Sequence, residues 1–146
     1  MQFEITIPGP PFGKPAVARD RNGRAYRTQE TTTFYATVAM LVHTQRPTPL
    51  LQIPRAMIAP SVAVVAVKQR PKRRPADHPF PWDGTRSPCR AKPDADNILK
   101  ALLDALKYAG VYGDDAHVVS VYCATVYAAI GEAPHTTVVV MDTAAQ

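Results

Sequence analysis

Residues 93–117 read PDADNILKALLDALKYAGVYGDDAH, and this stretch decides the fold. Its apolar residues recur at helical spacing and share one face: Ile98, Leu102, Ala105, Leu106 and Ala109. The polar residues form a stripe along the same segment: Asn97, Lys100, Asp104 and Lys107. The pattern predicts an amphipathic helix over residues 96–109, and Gly110 is the residue type that commonly ends one.

Aspartates flank this helix on both sides. Positions i and i+2 of a helix point about 200° apart, so Asp94 and Asp96 could hardly share a ligand if both were helical. Asp94 should therefore precede the first turn as its cap, where both carboxylates can turn toward one point at the positive helix end. The simpler alternative is an N-cap beside an ordinary i, i+4 ion pair between Asp96 and Lys100.

The second acidic segment favours a metal site. Asp114 and Asp115 follow Gly113 and precede an apolar stretch over residues 118–127 that predicts a strand. If this strand packs beside the helix, Asp115 can meet the helix N-terminus. Carboxylates brought together in a basic protein repel one another unless a cation lies between them. Oxygen ligands of this kind suit Mg²⁺, and we expect Mn²⁺ to substitute.

The rest of the chain contains further predicted elements. Alternating and β-branched residues predict three more strands, over residues 2–7, 61–67 and 136–141. Helical spacing predicts a helix over residues 28–45 that buries Phe34, Val38, Leu41 and Val42, and a proline-bearing connection follows at 47–60. Asn22-Gly23 predicts a two-residue hairpin turn within the basic stretch 14–27, because both residues tolerate positive φ.

Charge divides the chain into two parts. Residues 1–92 carry 15 Lys or Arg against 5 acids, whereas residues 93–146 carry 2 against 7. A basic part beside an acidic pocket is the pattern expected of an enzyme that acts on a polyanion. The candidate DNA-binding residues lie in the hairpin and in the loop over residues 68–92: Lys14, Arg24, Arg27, Lys68, Arg70, Lys72, Arg73 and Arg74.

Both basic segments have a second interpretation. The alternative is that the hairpin and the loop are plain solvated surface and do not contact DNA. The loop is rich in proline, and its aromatic residues Phe80 and Trp82 either stack on exposed bases or anchor the loop.

Length and composition set the class of protein. The 146 residues fit one domain, 1–146. We expect no membrane association, because no apolar run reaches the 18 to 20 residues or so that a spanning helix needs. Cys89 and Cys123 lack metal-ligand spacing, and the first residues lack a secretory leader pattern. We therefore expect a cytoplasmic protein with reduced thiols.

The two acidic segments resemble those of the RusA family of Holliday junction resolvases. The similar residues are Asp94 to Lys100, then Asp104-Ala105-Leu106, then Asp114 to Val119, in the family's order and spacing. The resemblance implies that Asp94, Asp96 and Asp115 are catalytic metal ligands, that Lys100 is the essential lysine and that Asp114 is secondary. It also implies an α+β fold, with a mixed sheet of about four strands packed against two main helices, in a homodimer.

The resemblance implies a function as well. Each subunit of the dimer would nick one of two symmetry-related strands of a four-way DNA junction, in recombination and repair, in a bacterial or phage-encoded protein. Two alternatives stay open: a less selective metal-dependent nuclease acting on branched DNA, and a junction-binding protein without activity.

Overall fold

A computed structural model describes residues 2–15, 18–45 and 56–145. Within these described residues, seven strands and two α-helices follow one another: β1 (Gln2–Pro8), β2 (Ala18–Arg19), β3 (Ala25–Tyr26), α1 (Gln29–Gln45), β4 (Pro60–Lys68), β5 (Ser87–Pro88), α2 (Ala95–Tyr108), β6 (Ser120–Tyr127) and β7 (His135–Asp142). Most of the predicted connection at 47–60 lies outside the described residues.

Five of the strands form one mixed sheet in the order β1-β7-β4-β6-β5. β4 and β6 are parallel, and the other neighbours are antiparallel. A parallel pair needs a long crossover, and here the connection from β4 to β6 contains α2. The predicted α+β class with a mixed sheet and two helices is confirmed; the four long strands were predicted, and the two-residue β5 is an addition.

The core lies between one face of the sheet and the two helices. Alternate residues of β4, Val62, Val64 and Ala66, are buried on this face, as the two-residue period of a strand requires. From the helix side, α2 buries Leu102 and Leu106 almost completely. Burying one leucine side chain contributes about 1.5–3 kcal/mol, so α2 is held mainly by its apolar face.

α1 packs against β1 and α2. Of the apolar face predicted for it, Val38 and Val42 are buried, whereas Phe34 and Leu41 are only partly buried. The helix is rotated from the predicted orientation because it buries Tyr35 as well.

The basic hairpin forms with a different turn from the predicted one. β2 and β3 pair Ala18 with Tyr26, so five residues connect the two strands rather than two. Gly23 has φ 76°, but no non-glycine residue in the described ranges has positive φ, which excludes the predicted two-residue turn at Asn22. The carboxylate of Asp20 accepts hydrogen bonds from the backbone N–H groups of Asn22 and Arg24 and stabilises the wider loop.

None of the described helices combines the length and the apolar character needed to cross a bilayer.

Candidate functional site

Asp94 caps the N-terminus of α2. Its backbone is extended, with φ −76° and ψ 167°, and its Oδ1 accepts a hydrogen bond of 3.0 Å from the backbone N–H of Asn97. Its Oδ2 accepts a hydrogen bond of 2.8 Å from Lys92 Nζ. The ammonium group of Lys92 first, and then the Asn97 N–H, lower the pKa of Asp94. The predicted cap position is therefore confirmed, with a charged carboxylate at the positive end of the helix.

The loop before the hairpin packs against this helix end. Gly13 lies so close to Pro93 that there is no room for a side chain at position 13. The next residue, Lys14, donates its backbone N–H to the carbonyl of Asn97 at 3.1 Å. The start of α2, with Asp94 on it, is thus fixed from outside the helix.

Asp96 and Lys100 form an ion pair one turn further along. Lys100 Nζ lies 2.9 Å from Asp96 Oδ2, and the two side chains are 57% and 71% exposed, respectively. An exposed i, i+4 pair contributes only about 0.3–0.5 kcal/mol. Both groups can therefore exchange this partner for a cation or a phosphate at little cost in stability.

Asp115 has a different environment. It opens a short 3₁₀ turn, Asp115–His117, that lies beyond the C-terminal end of α2. Its Oδ1 is buried, and no hydrogen-bond donor in the described part of the chain reaches it. Burial, followed by the nearby carboxylate of Asp104, raises the pKa of Asp115. An unpartnered buried carboxylate oxygen is costly and is suited to binding a cation.

Asp114 has a local structural role beside it. Its Oδ1 accepts a hydrogen bond of 3.0 Å from the backbone N–H of Ala116, and its Oδ2 lies 3.7 Å from Lys107 Nζ. Both contacts lower the pKa of Asp114, with the backbone hydrogen bond the larger cause.

Asp104 also belongs to this acidic region, although it was not predicted as a site residue from the sequence. Lys14 Nζ donates to its Oδ2 at 2.7 Å, and the Tyr35 hydroxyl donates to the same atom at 3.4 Å. The spacing offered a signal, because Asp96, Lys100 and Asp104 lie at i, i+4 and i+8 on one helical stripe. Asp104 is the acidic residue through which the N-terminal loop reaches the neighbourhood of Asp115.

The candidate carboxylates have different neighbours. Asp94 and Asp96 lie at the start of α2, paired with lysines, whereas Asp115 interacts electrostatically with Asp104 on the second half of the helix. Asp96 and Asp104 are eight residues apart on α2, which corresponds to about 12 Å along the helix axis. Within the described ranges, no three Asp, Glu, His or Cys side chains are arranged to hold one ion. The donor chemistry fits a hard divalent cation, but the three-carboxylate site stays a prediction.

Lys68 has a structural position rather than the predicted DNA-binding one. It ends β4 on the face that packs against the helices, and it is only 7% exposed. Its Nζ donates to the backbone carbonyls of Ala91 and Pro93. The alternation of β4 directs this side chain inward, so Lys68 connects the sheet to the segment that leads into α2.

Other predicted DNA-binding residues also have partners within the chain. The guanidinium of Arg70 lies 3.8 Å from the centre of the Trp82 ring, and that of Arg27 lies 4.6 Å from the centre of the Tyr35 ring. Arg74 donates to the carbonyl of His78 at 2.6 Å. Four of the eight predicted residues remain exposed on the surface. Arg24, Lys72 and Arg73 have no side-chain contact of this kind with the described residues, and Lys14 has only its ion pair with Asp104.

The loop over residues 68–92 is folded around a buried histidine. His78 is 6% exposed, its Nε2 lies 2.7 Å from Ser87 Oγ, and its ring contacts those of Trp82 and Tyr127. Of the two roles considered for the loop aromatics, the structure thus gives Trp82 that of an anchor. The folded loop presents Lys72 and Arg73 on its exterior.

One comparison with known proteins identifies the chain. The model of the family described as endodeoxyribonuclease RusA matches residues 8–141, which include both acidic segments and the basic loop. None of the curated proteins matches the chain.

Proposed function

This chain belongs to the RusA endodeoxyribonuclease family, and from that premise we propose that it resolves four-way DNA junctions in recombination and repair. In this proposal a homodimer places paired, symmetric nicks with the help of Mg²⁺. The observation that best supports a metal-assisted reaction is the buried Oδ1 of Asp115, which has no hydrogen-bond partner among the described residues.

We propose Asp94, Asp96 and Asp115 as the metal ligands. All three offer hard oxygen atoms, and two of them now face lysines that a divalent ion can replace. A bound Mg²⁺ supplies Lewis acidity at a phosphate oxygen and lowers the pKa of a water molecule. Mn²⁺ prefers similar oxygen ligands and should substitute.

The lysines beside these carboxylates also have a role in the proposed cleavage reaction. Lys100 Nζ lies within 2.9 Å of Asp96 on an exposed side chain, so it can turn to a phosphoryl oxygen or orient the attacking water. Either role places a positive charge where negative charge develops during cleavage. Without Lys100 and Lys92, the carboxylates would repel the incoming phosphate.

The exposed basic residues supply the DNA surface. Arg24 on the hairpin and Lys72 and Arg73 on the loop are exposed and form no ion pair with any described residue, in a chain with a net charge of +5. Lysine and arginine neutralise phosphates without reading base sequence, as recognition of a branched backbone requires.

The decisive experiment is Mg²⁺-dependent nicking of a synthetic four-way junction. Asp96→Asn and Asp115→Asn should each abolish cleavage and leave junction binding intact or stronger, because each removes a charge that repels phosphate. Glu4→Gln is the matched control, since it neutralises an exposed carboxylate on β1. Asp115→Asn should also weaken Mn²⁺ binding measured calorimetrically without DNA.

Several outcomes would count against the proposal. Undiminished cleavage by both aspartate variants would exclude the proposed ligands. Equal rates on linear duplex or flap substrates would identify a less selective nuclease, and binding without nicking at any Mg²⁺ concentration would identify an inactive junction-binding protein.

A further inference from the structure

An isoleucine is exposed at the tip of the turn between β6 and β7. Ile130 is 77% exposed, the largest value among the large apolar side chains of the described residues. The N–H of Glu132 donates to the carbonyl of Ala129 at 3.1 Å and closes a four-residue turn. Gly131 supplies a positive φ of 81° at the third position, which leaves Ile130 at the second.

Contacts on both sides fix this turn. Ile130 donates its backbone N–H to the carbonyl of Gly84 at 2.9 Å. Glu132 accepts a hydrogen bond of 3.0 Å from the N–H of Ala129 and forms an ion pair of 2.6 Å with Arg86. A single exposed apolar side chain is common on protein surfaces. This one is held on an ordered backbone, so little conformational entropy is lost when a ligand covers it.

A concave surface of about 590 Å³ lies beside the turn. Ile130 lines it from the turn, and Arg70, Lys72 and Trp82 line it from the loop over residues 68–92. Guanidinium planes and aromatic rings are surfaces on which unpaired bases stack, and lysine neutralises phosphates. The volume is within the range of small-ligand sites. The lining therefore has the chemistry that binds a nucleotide.

Two carboxylates also line this surface, but they do not make it acidic. Glu132 is paired with Arg86, and Asp83 is the second acid. Together with Arg86, the cations Arg70 and Lys72 outnumber these two acids. Lys72 is exposed and forms no ion pair with any described residue. The surface thus retains positive charge for a phosphate, which favours a nucleic acid over an apolar or acidic partner.

The turn lies at the end of the sheet where α2 begins. The N–H of Ala128 donates to the carbonyl of Lys68, the last residue of β4, at 2.8 Å. Lys68 Nζ in turn donates to the carbonyl of Pro93, directly before Asp94. The exposed isoleucine and the start of α2 are therefore at the same end of the molecule, where one bound DNA can contact both.

We propose that Ile130 is an apolar wedge that inserts beside a base at the branch point of DNA, and that the concave surface receives the base it unstacks. This inference rests on the proposed branched substrate. Apolar side chains of other DNA-binding proteins insert between base steps in this way. A base at a branch point has an interrupted stack, so displacing it costs less than displacing a base within a duplex. The wedge therefore favours branched over linear DNA.

Fluorescence of 2-aminopurine tests the wedge, because this base analogue becomes brighter when it loses its stacking neighbours. The probe is placed at the branch point of one four-way junction and in the middle of an arm of another. Protein is saturating, and no divalent cation is added, so that no strand is cut. The wild type should brighten the branch-point probe alone. Ile130→Ser should lose this increase, and Ile130→Leu should retain it. An equal increase with Ile130→Ser, or none with the wild type, would overturn the wedge.

Binding affinity gives a second measurement with a matched control. Ile130→Ser should raise the junction Kd about tenfold, equivalent to about 1.4 kcal/mol, and leave the linear-duplex Kd unchanged. Ile58→Ser is the control, since Ile58 is 60% exposed but precedes β4 at the opposite end of the sheet. It should change neither Kd, and circular dichroism verifies that both variants are folded. Equal weakening by the two variants, or equal weakening on both DNAs, would overturn the inference.

These measurements are separate from cleavage. A protein that brightens the branch-point probe but never nicks with Mg²⁺ would refute the proposed nuclease function and retain the wedge. A protein that nicks junctions without brightening the probe would refute the wedge alone.

Discussion

Substitutions at Asp94 should separate its two roles, as helix cap and as proposed metal ligand. Asp94→Ala removes the hydrogen bond to the Asn97 N–H, and Asp94→Ser retains a side-chain oxygen that can accept it. Loss of an N-cap costs about 1 kcal/mol, whereas serine is about as good a cap as aspartate. For a chain of this size, 1 kcal/mol corresponds to a decrease in Tm of about 3 °C.

The expected result is therefore a split between stability and activity. Asp94→Ala should unfold about 3 °C below the wild type, and Asp94→Ser should unfold close to it. Neither variant should nick a four-way junction, because neither retains the carboxylate. Calorimetry measures Tm, and a junction-cleavage assay on the same preparations measures activity. Asp96→Ser is the control for cap loss, since Asp96 lies inside the first turn and does not cap it.

The pH dependence adds a second check on the same residue. The folded pKa of Asp94 is lowered below its ordinary value of 3.8, so its charge stabilises the fold above that pH and does so less as the pH falls through the folded pKa. The Tm difference between wild type and Asp94→Ala should shrink in strong acid. Equal losses of Tm in the alanine and serine variants would refute the cap argument, and full cleavage by Asp94→Ser would refute the ligand role.

Two further predictions concern residues outside the acidic region. Lys68→Met should destabilise the fold by about 2 kcal/mol through its lost hydrogen bonds, without changing the salt dependence of junction binding. Lys72→Met should leave Tm unchanged and reduce the slope of the logarithm of the binding constant against the logarithm of salt concentration by about 0.9. The reverse pattern would show that Lys68 faces DNA. Arg86 first, and then the backbone N–H of Ala129, lower the pKa of Glu132 to about 2. Arg86→Gln should therefore cost stability at pH 7 and progressively less between about pH 4.5 and 2. A urea-unfolding difference of the same size at pH 7 and pH 3 would contradict this pairing.

Elements with strong local signals were predictable from the sequence. α2 begins and ends within one residue of its predicted limits, because Asp94, the apolar period and Gly110 all act within a few residues of one another. The long strands were predictable for the same reason, since their alternation is a local pattern. The hairpin turn was mispredicted because the Asp20 carboxylate, rather than Asn22, organises the loop.

The site depends more on contacts between distant residues. Lys14 and Asp104 are 90 residues apart in the chain, and no local pattern predicts that they form an ion pair. Lys68 looked like part of a basic run, but its burial depends on carbonyls more than 20 residues away. The position of Asp115 relative to Asp94 and Asp96 likewise depends on how the turn after α2 packs, which helical geometry alone does not specify.

The folded loop around His78 affects the thermodynamics of DNA binding. The ring contacts of this loop and the Arg70–Trp82 contact already order its backbone. Lys72 and Arg73 therefore contact a phosphate from a backbone that is ordered before binding. Binding then immobilises individual side chains, at about 0.5–1.5 kcal/mol each, rather than a disordered backbone at about 1–2 kcal/mol per residue. Most of the conformational entropy of this segment is therefore lost when the protein folds, and little remains to be lost when the junction binds.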